Sequence, residues 1–441
     1  MLVTIFFTLR MEGNSTYKTS ADIELMVMVQ VIVFEDPLVE KFSPITDITP
    51  MQEVIVGGVK QSERFDKIFQ SRTKWLVREY LKDKVPTDRK PLEGESALLV
   101  NSRLIPNMGF LDLLERVDEG EALFLDGCLL LAKIRAFDES TVRQQIEGKL
   151  NVLRKRNLAD KLHVIKNLWD IAPKAVISYL SEDLLRFHIS KDESKKLPHE
   201  IEDIRVIGRY PVSISENITV LGPVTIDARE GPVVIKEGTQ IEPYAYLKGP
   251  LFIDKNTVIV AGSRIAGSYI GIHGRVGGEV TTSIISDYSN KYHLGFLGHS
   301  YVGRWVNIGA GTITSNLKNT YGEIKVGGQP TGLNKVGAFI GDHAKLSIGT
   351  MTYAGIRIGV ASHLHGLIHE DVPPFTIYAK SIGWGLYELE VESAIRTYRR
   401  MAPRRGIDPD PVEEDLLRYL FERTETIRRN KGVIKGRLKA K

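Results

Sequence analysis

The segment richest in reactive side chains surrounds one histidine, His293. It runs over residues 290–312 and reads NKYHLGFLGHSYVGRWVNIGAGT. A histidine side chain has an ordinary pKa of about 6.5, so its neutral imidazole can accept a proton near pH 7. Lys291 and Arg275 are candidates for binding a phosphate or a sugar by charge alone, and Gly309–Gly311 would let a ligand approach the backbone closely. These residue types are therefore suited to proton transfer at a bound ligand.

The elements around this segment follow a six-residue repeat. Mostly aliphatic residues recur at every sixth position in four series, which are Ile214, Val220 and Ile226; Ile235, Ile241, Leu247, Ile253, Ile259 and Ile265; Phe296, Val302 and Ile308; and Ile340, Leu346, Thr352, Ile358 and Leu364. Neither a helix nor a simple strand has this period, which is typical of a parallel β-helix with inward aliphatic residues. Glycines suit its tight corners, and 28 of the 39 glycines lie between residues 201 and 385.

Two interruptions and a basic tail modify this pattern. The six-residue repeat loses its register around residues 267–292. The segment Ser315–Gly337 is rich in turn residues, which predicts an insertion that either lines a site or is a passive loop. Residues 391–441 hold 14 Lys and Arg against 8 Asp and Glu. This basic helical tail (386–441) could contact the phosphate groups of a ligand or of nucleic acid, but its arginines alternate with acids, which favours a solvated helical face and no nucleic acid.

The N-terminal third has a different organisation. Strands alternate with helices, with a strand at Val29–Phe34 and helical spacing over Gln61–Lys82 and Thr141–Lys161, which predicts a small α/β domain over residues 29–190. We expect residues 1–28 to be a poorly ordered extension or a mis-assigned start. A linker over residues 191–204 is then followed by the β-helix over residues 205–385, with its insertion at 315–337.

Several motifs resemble those of the bifunctional enzymes that make UDP-N-acetylglucosamine. These are His293–Gly298 (HLGFLG) and Val306–Thr312 (VNIGAGT), and Leu317–Gly322 (LKNTYG) and Arg275–Val280 (RVGGEV) are similar to a variant bacterial branch of that family. The resemblance is strong over 205–385 and weak over 29–190. It implies a nucleotidyltransferase-like, Rossmann-like α/β domain, a left-handed parallel β-helix of hexapeptide repeats and a short α-helical C-terminal tail.

The same resemblance implies roles for single residues of the β-helix. His293 would be the general base that takes a proton from the amine of an amino sugar as it attacks the thioester of acetyl-CoA. Asn307 would orient the acetyl group or the sugar, and Phe296 stands where the main family carries a tyrosine that contacts substrate. For acetyl-CoA, the binding residues would be Gly309, Ala310, Gly311 and Asn316.

The resemblance therefore implies an acetyl-CoA-dependent N-acetyltransferase acting on a phosphorylated amino sugar of the glucosamine 1-phosphate type. The resembling enzymes imply a homotrimer with sites between adjacent prisms. In their N-terminal domain, Mg²⁺ assists the joining of a sugar 1-phosphate to UTP or dTTP. Here two expected arginines are replaced by Thr49 and Ile55, while Asp36 and Asn101 remain as candidate nucleotide-binding groups at strand ends.

Other functions stay open. One is sugar-1-phosphate nucleotidyl transfer without acetyl transfer, and another is a non-catalytic nucleotide-sugar-binding protein for assembly or regulation. His363 and His365 could chelate a metal, but no further ligand stands at a familiar spacing, so we predict no metal site in the β-helix. The single cysteine, Cys128, excludes an internal disulfide and a cysteine zinc cluster within one chain. No apolar run of 18 residues exists, and we expect a cytoplasmic protein that binds no membrane.

Overall fold

The structure, a computed structural model, describes residues 29–106, 110, 114, 117–149, 153–157, 162–190 and 203–436. The chain divides into two compact units, which are Met1–Val39, Pro50–Glu53 and Gln61–Ile165 on one side, and Glu40–Thr49, Val54–Lys60 and Lys166–Lys441 on the other. The predicted extension 1–28 lies outside the described residues, as do positions 191–202 of the predicted linker. The domain bounds predicted from the sequence stay a prediction.

The first unit is built on a six-stranded mixed sheet. The strands before residue 190 are β1 (Gln30–Phe34), β2 (Ile55–Val56), β3 (Val59–Lys60), β4 (Lys74–Leu76), β5 (Ala97–Asn101), β6 (Leu104–Ile105), β7 (Glu121–Leu125), β8 (Cys128–Ile134), β9 (Arg154–Asn157) and β10 (His163–Val164). The sheet has the order β4-β1-β5-β8-β7-β9, with β1 parallel to both of its neighbours. Asp126 and Gly127, both with positive φ, turn the β7–β8 hairpin.

Two helices of this part of the chain are shorter than the sequence predicts. Helix α1 spans Gln61–Phe69, helix α2 spans Glu139–Ile146, and helix α3 spans Ala175–Asp183. The helical spacing after Phe69 is misleading because the next apolar residues form β4, which pairs with β1. Likewise, β9 lies inside the predicted second helix because it pairs with β7. In both cases a long-range strand pairing outweighs local periodicity.

The second unit is dominated by a parallel β-solenoid. Its strands and the two of its insertion are β11 (Ile204–Gly208), β12 (Val212–Ile214), β13 (Thr219–Val220), β14 (Val224–Ala228), β15 (Val233–Ile235), β16 (Gln240–Ile241), β17 (Tyr246–Ile253), β18 (Val258–Ile259), β19 (Arg264–Ile270), β20 (Arg275–Val276), β21 (Glu279–Thr281), β22 (Ile284–Ile285), β23 (Asn290–Lys291), β24 (Phe296–Gly298), β25 (Tyr301–Val302), β26 (Asn307–Ile308), β27 (Ile313–Thr314), β28 (Lys325–Val326), β29 (Gln329–Pro330), β30 (Phe339–Ile340), β31 (Lys345–Leu346), β32 (Met351–Thr352), β33 (Arg357–Ile358), β34 (His363–Leu364), β35 (Leu367–Ile368), β36 (Thr376–Ala379) and β37 (Gly385–Glu388).

These strands stack into three parallel faces. The first face follows β11-β14-β17-β19-β21-β24-β27-β32-β35, and the second follows β12-β15-β17-β19-β22-β25-β30-β33. The third follows β13-β16-β18-β20-β23-β26-β31-β34-β36 and ends with β37. The inward residues, most of them aliphatic, build a continuous core along the solenoid. The fold class predicted from the sequence is thereby confirmed.

The six-residue register is lost because one coil of the solenoid is shorter than three hexapeptides. Three hexapeptides need 18 residues, and Gln240 pairs with Val258 at that spacing. Arg275 pairs with Asn290 only 15 positions later, so the coil between them is shortened. A further consequence is that Phe296 pairs with Glu279 on the outside, whereas Leu297 takes the inward position and is 1% exposed. The inclusion of Phe296 in the inward series is therefore wrong.

The insertion and the tail both pack on the solenoid. The insertion forms the hairpin of β28 and β29. The tail contains helix α4 (Val391–Met401), a 3₁₀ turn (Ala402–Arg405), helix α5 (Pro411–Arg423) and helix α6 (Glu425–Asn430). The side chain of Asp410 caps α5 by accepting a hydrogen bond from the backbone N–H of Val412 at 2.9 Å.

Candidate active site

His293 lines a cavity of about 340 Å³ on the third face of the solenoid. Its side chains come from three coils and from the tail, and they are Arg275, Tyr288, Asn290, Tyr292, His293, Trp305, Val306, Asn307, Met401, Arg404 and Arg405. The cavity therefore brings together three of the residues proposed from sequence, which are His293, Arg275 and Asn307. A volume of this size is sufficient for a small ligand.

The floor of the cavity is a column of outward residues in register. Arg275 pairs with Asn290, and Asn290 pairs with Asn307 in the next coil. The Nδ2 of Asn290 donates to Oδ1 of Asn307 at 2.6 Å. The other amide atom of Asn290, Oδ1, is buried and has no hydrogen-bond partner among the described residues. An unmet buried acceptor is costly, so this oxygen is suited to receive an N–H or O–H donor from a ligand.

His293 lies at the corner that follows β23, with its side chain exposed. Within the part of the chain that the structure describes, its ring nitrogens have no hydrogen-bond partner. The edge of its ring faces Tyr292, with ring centroids 5.3 Å apart. The backbone here is tightly stacked, since a Cβ on Gly295 would collide with the carbonyl oxygen of Thr312. The corner is thus held by backbone packing while the imidazole stays free to meet a substrate.

Lys291 is not in the cavity, although the sequence suggests it as a substrate-binding group. It occupies an inward position of the solenoid, paired with Val276, and is 2% exposed. Its Nζ donates to the carbonyl oxygens of Gly277 at 2.9 Å and of His293 at 2.5 Å. The shortened coil explains this placement, and Lys291 supports the backbone of His293 from inside.

The buried position of Lys291 predicts a pH dependence of stability. Burial lowers the pKa of Lys291 from its ordinary 10.5 to about 8. Between these values the unfolded chain binds a proton that the folded chain does not, so stability rises with pH by up to about 1.4 kcal/mol per pH unit. We expect the melting temperature of the wild type, relative to Lys291→Met, to rise from pH 7.5 to 9.5. If the melting temperatures of the two proteins changed with pH in the same way across this range, the lowered pKa of Lys291 would be contradicted.

Four other proposed residues do not line the cavity. Phe296 is half-buried on the first face, between Glu279 and Ile313. The remaining three, Gly309, Ala310 and Gly311, form the corner above His293, where the N–H of Gly311 donates to Leu294 at 2.9 Å.

Asn316 also lies outside the cavity, in the insertion. Its Nδ2 contacts Nδ1 of His299 at 2.8 Å. Burial lowers the pKa of His299 to about 4, so its neutral ring can accept this hydrogen bond. Asn316 Oδ1 has no partner among the residues described and is left to accept from a ligand.

Sequence reasoning missed the walls of the cavity. Tyr288 and Trp305 stack with ring centroids 4.4 Å apart and an interplanar angle of 10°. Tyr398 of α4 meets Trp305 edge-on at 5.4 Å, which seats the following turn so that Arg404 and Arg405 reach the cavity. The adjacent arginines at positions 404 and 405 are visible in the sequence, but nothing in the sequence indicates which surface of the fold they lie against.

The two candidate nucleotide-binding residues meet in the first unit. Asp36 follows β1 and Asn101 ends β5, and Nδ2 of Asn101 donates to Oδ2 of Asp36 at 2.9 Å. Arg103 also binds Asp36, through Nε at 2.9 Å and Nη2 at 2.5 Å, and both side chains are 3% exposed. The carboxylate is therefore neutralised by an arginine. As they stand, these residues do not fit Mg²⁺, which needs a carboxylate free to coordinate it.

The two positions that lack the expected arginines contact the solenoid instead. Oγ1 of Thr49 donates to Oδ2 of Asp342 at 2.8 Å, and the backbone N–H of Ile55 donates to the hydroxyl of Tyr301 at 3.3 Å. Lys60 on the same stretch pairs with Asp287 at 3.1 Å. These residues all belong to the second unit and serve its packing.

Histidines elsewhere in the solenoid do not assemble a metal site. Burial lowers the pKa of His363 to about 4, and the neighbouring Lys345 adds to this effect. Across the described ranges, no group of three or more His, Cys, Asp or Glu side chains could hold a metal ion. In the same residues, no helix has the length and apolar character needed to cross a membrane.

Comparison with known proteins finds relatives whose names give two activities. Residues 31–187 match the family model for sugar nucleotidyl transferase. A bifunctional sugar-1-phosphate nucleotidylyltransferase/acetyltransferase from Sulfurisphaera tokodaii is 30% identical over 183 residues, which cover 39% of this chain and 41% of that protein. The bifunctional protein GlmU from Gloeothece citriformis is 32% identical over 162 residues, covering 36% of this chain and 29% of that protein.

The chain thus spans less than half the length of these curated relatives. A solved structure of UDP-N-acetylglucosamine acyltransferase from Francisella novicida shares 16% identity, with a TM-score of 0.25, over 50% of this chain and 86% of that one. That likeness is too low to assign a fold or a function. The sequence relatives therefore show only what part of this chain is similar to, and the chemistry of the site depends on the geometry of the cavity.

Proposed function

We propose that this chain, a relative of the bifunctional sugar-1-phosphate nucleotidylyltransferase/acetyltransferases, transfers an acetyl group from acetyl-CoA to the amine of a phosphorylated amino sugar. The observation that carries the proposal is the cavity itself, in which an unpaired exposed histidine, an unmet amide acceptor and arginines line one space. A base for an amine proton, an acceptor for sugar donors and cations for a phosphate are what such a substrate requires.

In this mechanism His293 acts as the general base. The neutral amine nitrogen attacks the carbonyl carbon of the thioester, so an N–C bond forms as the C–S bond breaks. The imidazole takes the proton from nitrogen, and the thiolate of coenzyme A leaves and is protonated. Asn290 and Asn307 orient the sugar, with Oδ1 of Asn290 accepting from an N–H or O–H group.

Acetyl-CoA would lie along the corner that contains Gly309, Ala310 and Gly311. Gly311 and Gly349 both have positive φ; a Cβ on Gly311 would meet only the backbone of Gly349, at 3.8 Å, and Gly349 has open space around it. An extended chain could lie against such bare backbone, and the free Oδ1 of Asn316 could accept from one of its amides.

We include a homotrimer in the proposal. Leu294 and Ile348 flank the same corner and are 79% and 78% exposed, so apolar surface surrounds the site in a single chain. A neighbouring prism would cover these side chains and complete the surroundings of His293. A cytoplasmic location belongs to the same proposal, because acetyl-CoA and sugar phosphates are charged and do not cross membranes freely.

A second candidate activity is sugar-1-phosphate nucleotidyl transfer with UTP or dTTP. The family match over residues 31–187 favours it. The ion pair between Asp36 and Arg103 does not, because it engages the carboxylate of Asp36 that Mg²⁺ would need. We derive no step through the metal. Any such activity would have to use other groups or release Asp36 from its arginine.

One product assay tests both activities. The full chain is incubated with glucosamine 1-phosphate, acetyl-CoA, UTP or dTTP and Mg²⁺, with each component omitted in turn, and products are identified by mass spectrometry. We expect an N-acetylated sugar phosphate whenever the sugar phosphate and acetyl-CoA are present. Absence of that product in the complete mixture would overturn the proposed acetyl transfer, and a nucleotide sugar would establish the second activity.

A further inference from the structure

The cavity beside His293 carries an excess of positive charge. Arg275, Arg404 and Arg405 line it, and no carboxylate does. None of the three guanidinium groups forms an ion pair with any carboxylate among the described residues. Like charges that lie close together repel each other, and the described residues supply no counter-charge for these three arginines.

Arg405 shows this imbalance most clearly. Its Nε is buried and has no hydrogen-bond partner in the described part of the chain. Burial, together with the charges of Arg275 and Arg404, lowers the pKa of Arg405 to about 10. A buried guanidinium donor without a partner is expensive, and an anion in the cavity would satisfy the donor and offset the repulsion.

The position of the arginines is fixed by the tail. Ala402 is fully buried against Trp305 and Tyr398, and Gly406, with φ of 68°, ends the turn that carries Arg404 and Arg405. Further along, Glu413 receives hydrogen bonds from Nη2 of Arg304 at 2.9 Å. The two arginines are thus presented by a packed element and not by a free end of the chain.

We infer that Arg404 and Arg405, with Arg275, form the subsite for the phosphate group of the acceptor sugar, so the tail decides that a phosphorylated amine is preferred. This inference rests on the proposed function. The phosphates of coenzyme A offer the same chemistry, but the pantetheine arm separates them from the thioester. In a 2-amino sugar 1-phosphate, the amine and phosphate stand on neighbouring carbons, and His293 and the arginines share one cavity.

Michaelis constants of arginine variants test the assignment. We compare the wild type, Arg405→Gln and the Arg404→Gln/Arg405→Gln double variant, with Arg429→Gln, an exposed arginine of the same tail, as the charge-matched control. For glucosamine 1-phosphate, KM should rise about 10- to 100-fold in the cavity variants, because charge-assisted hydrogen bonds are lost. The KM values for acetyl-CoA and for unphosphorylated glucosamine should stay within about threefold, and the control should match the wild type.

Two results would overturn the inference. One is a rise in KM for acetyl-CoA, but not for 3′-dephospho-acetyl-CoA, with the sugar phosphate unaffected, which would assign the arginines to coenzyme A. The other is no change in any KM.

A binding measurement separates this inference from the proposed function. Calorimetry with glucosamine 1-phosphate and with glucosamine needs no acetyl transfer. If all proteins prove inactive, loss of the preference for the phosphorylated sugar in Arg405→Gln still supports the subsite. Equal binding of both sugars to wild type and variant contradicts it.

Discussion

Replacing His293 with alanine is expected to lower kcat for acetyl transfer by about 10²- to 10⁴-fold, the usual contribution of a general base. The imidazole is the group in the cavity placed to accept the amine proton, and its nitrogens are not committed to any partner among the described residues. His293→Gln should be equally impaired, since an amide forms hydrogen bonds but does not accept a proton at this pH. The measurement is thiol release from acetyl-CoA under saturating sugar phosphate.

The fold should survive these changes because the side chain is exposed. Circular dichroism and the melting temperature are expected to match the wild type. His163→Ala replaces an exposed histidine of the first unit and serves as the matched control, with unchanged kcat. Activity of His293→Ala within threefold of wild type would remove His293 from the mechanism.

The largest expected loss of stability comes from Glu413→Ala. Glu413 is 1% exposed and binds Arg304 through both carboxylate oxygens at 2.9 Å and His343 Nε2 at 2.8 Å. Removing one partner of a buried ion pair leaves an uncompensated charge and costs about 3–5 kcal/mol. Since Arg304 keeps Asp342 at 3.4 Å, we expect a value near the lower end of that range.

We expect the loss of stability in Glu413→Ala to be concentrated in the tail. Hydrogen exchange of residues 391–430 is expected to be faster in Glu413→Ala than in wild type, and KM for the sugar phosphate should rise because Glu413 ties to the solenoid the same tail that carries Arg404 and Arg405. Glu422→Ala changes an exposed glutamate of the same helix and is the control. Unchanged exchange in the tail would show that this network does not hold it.

The six-residue series illustrates what local sequence can predict. Ile241 and Ile259 are both fully buried and belong to strands that pair at 18-residue spacing, as the repeat requires. The shortened coil at residues 275–290 breaks the series, and there the sequence alone misplaces Phe296 and Lys291. A periodic pattern fixes which face a residue takes only while the period lasts.

The nucleotide-binding candidates show a different limit. The sequence places Asp36 and Asn101 as polar groups at strand ends, and the structure brings them together. Arg103 stands two positions beyond Asn101 in the sequence, yet its pairing with Asp36 depends on the neighbouring arrangement of β1 and β5. The local spacing of residues in the sequence does not indicate which charged groups pair across a sheet.

By itself, the sequence determined the solenoid, the α/β unit before it, the helical tail and the segment with His293, because hydrophobic periodicity, repeats and turn residues act over a few positions. Only the tertiary structure decided that Lys291 is a core residue and that Arg404 and Arg405 enter the cavity. Those arginines lie more than 100 residues beyond His293, and they reach it through the packing of Tyr398 on Trp305. Such long-range contacts follow from the shape and charge of surfaces that exist only after folding.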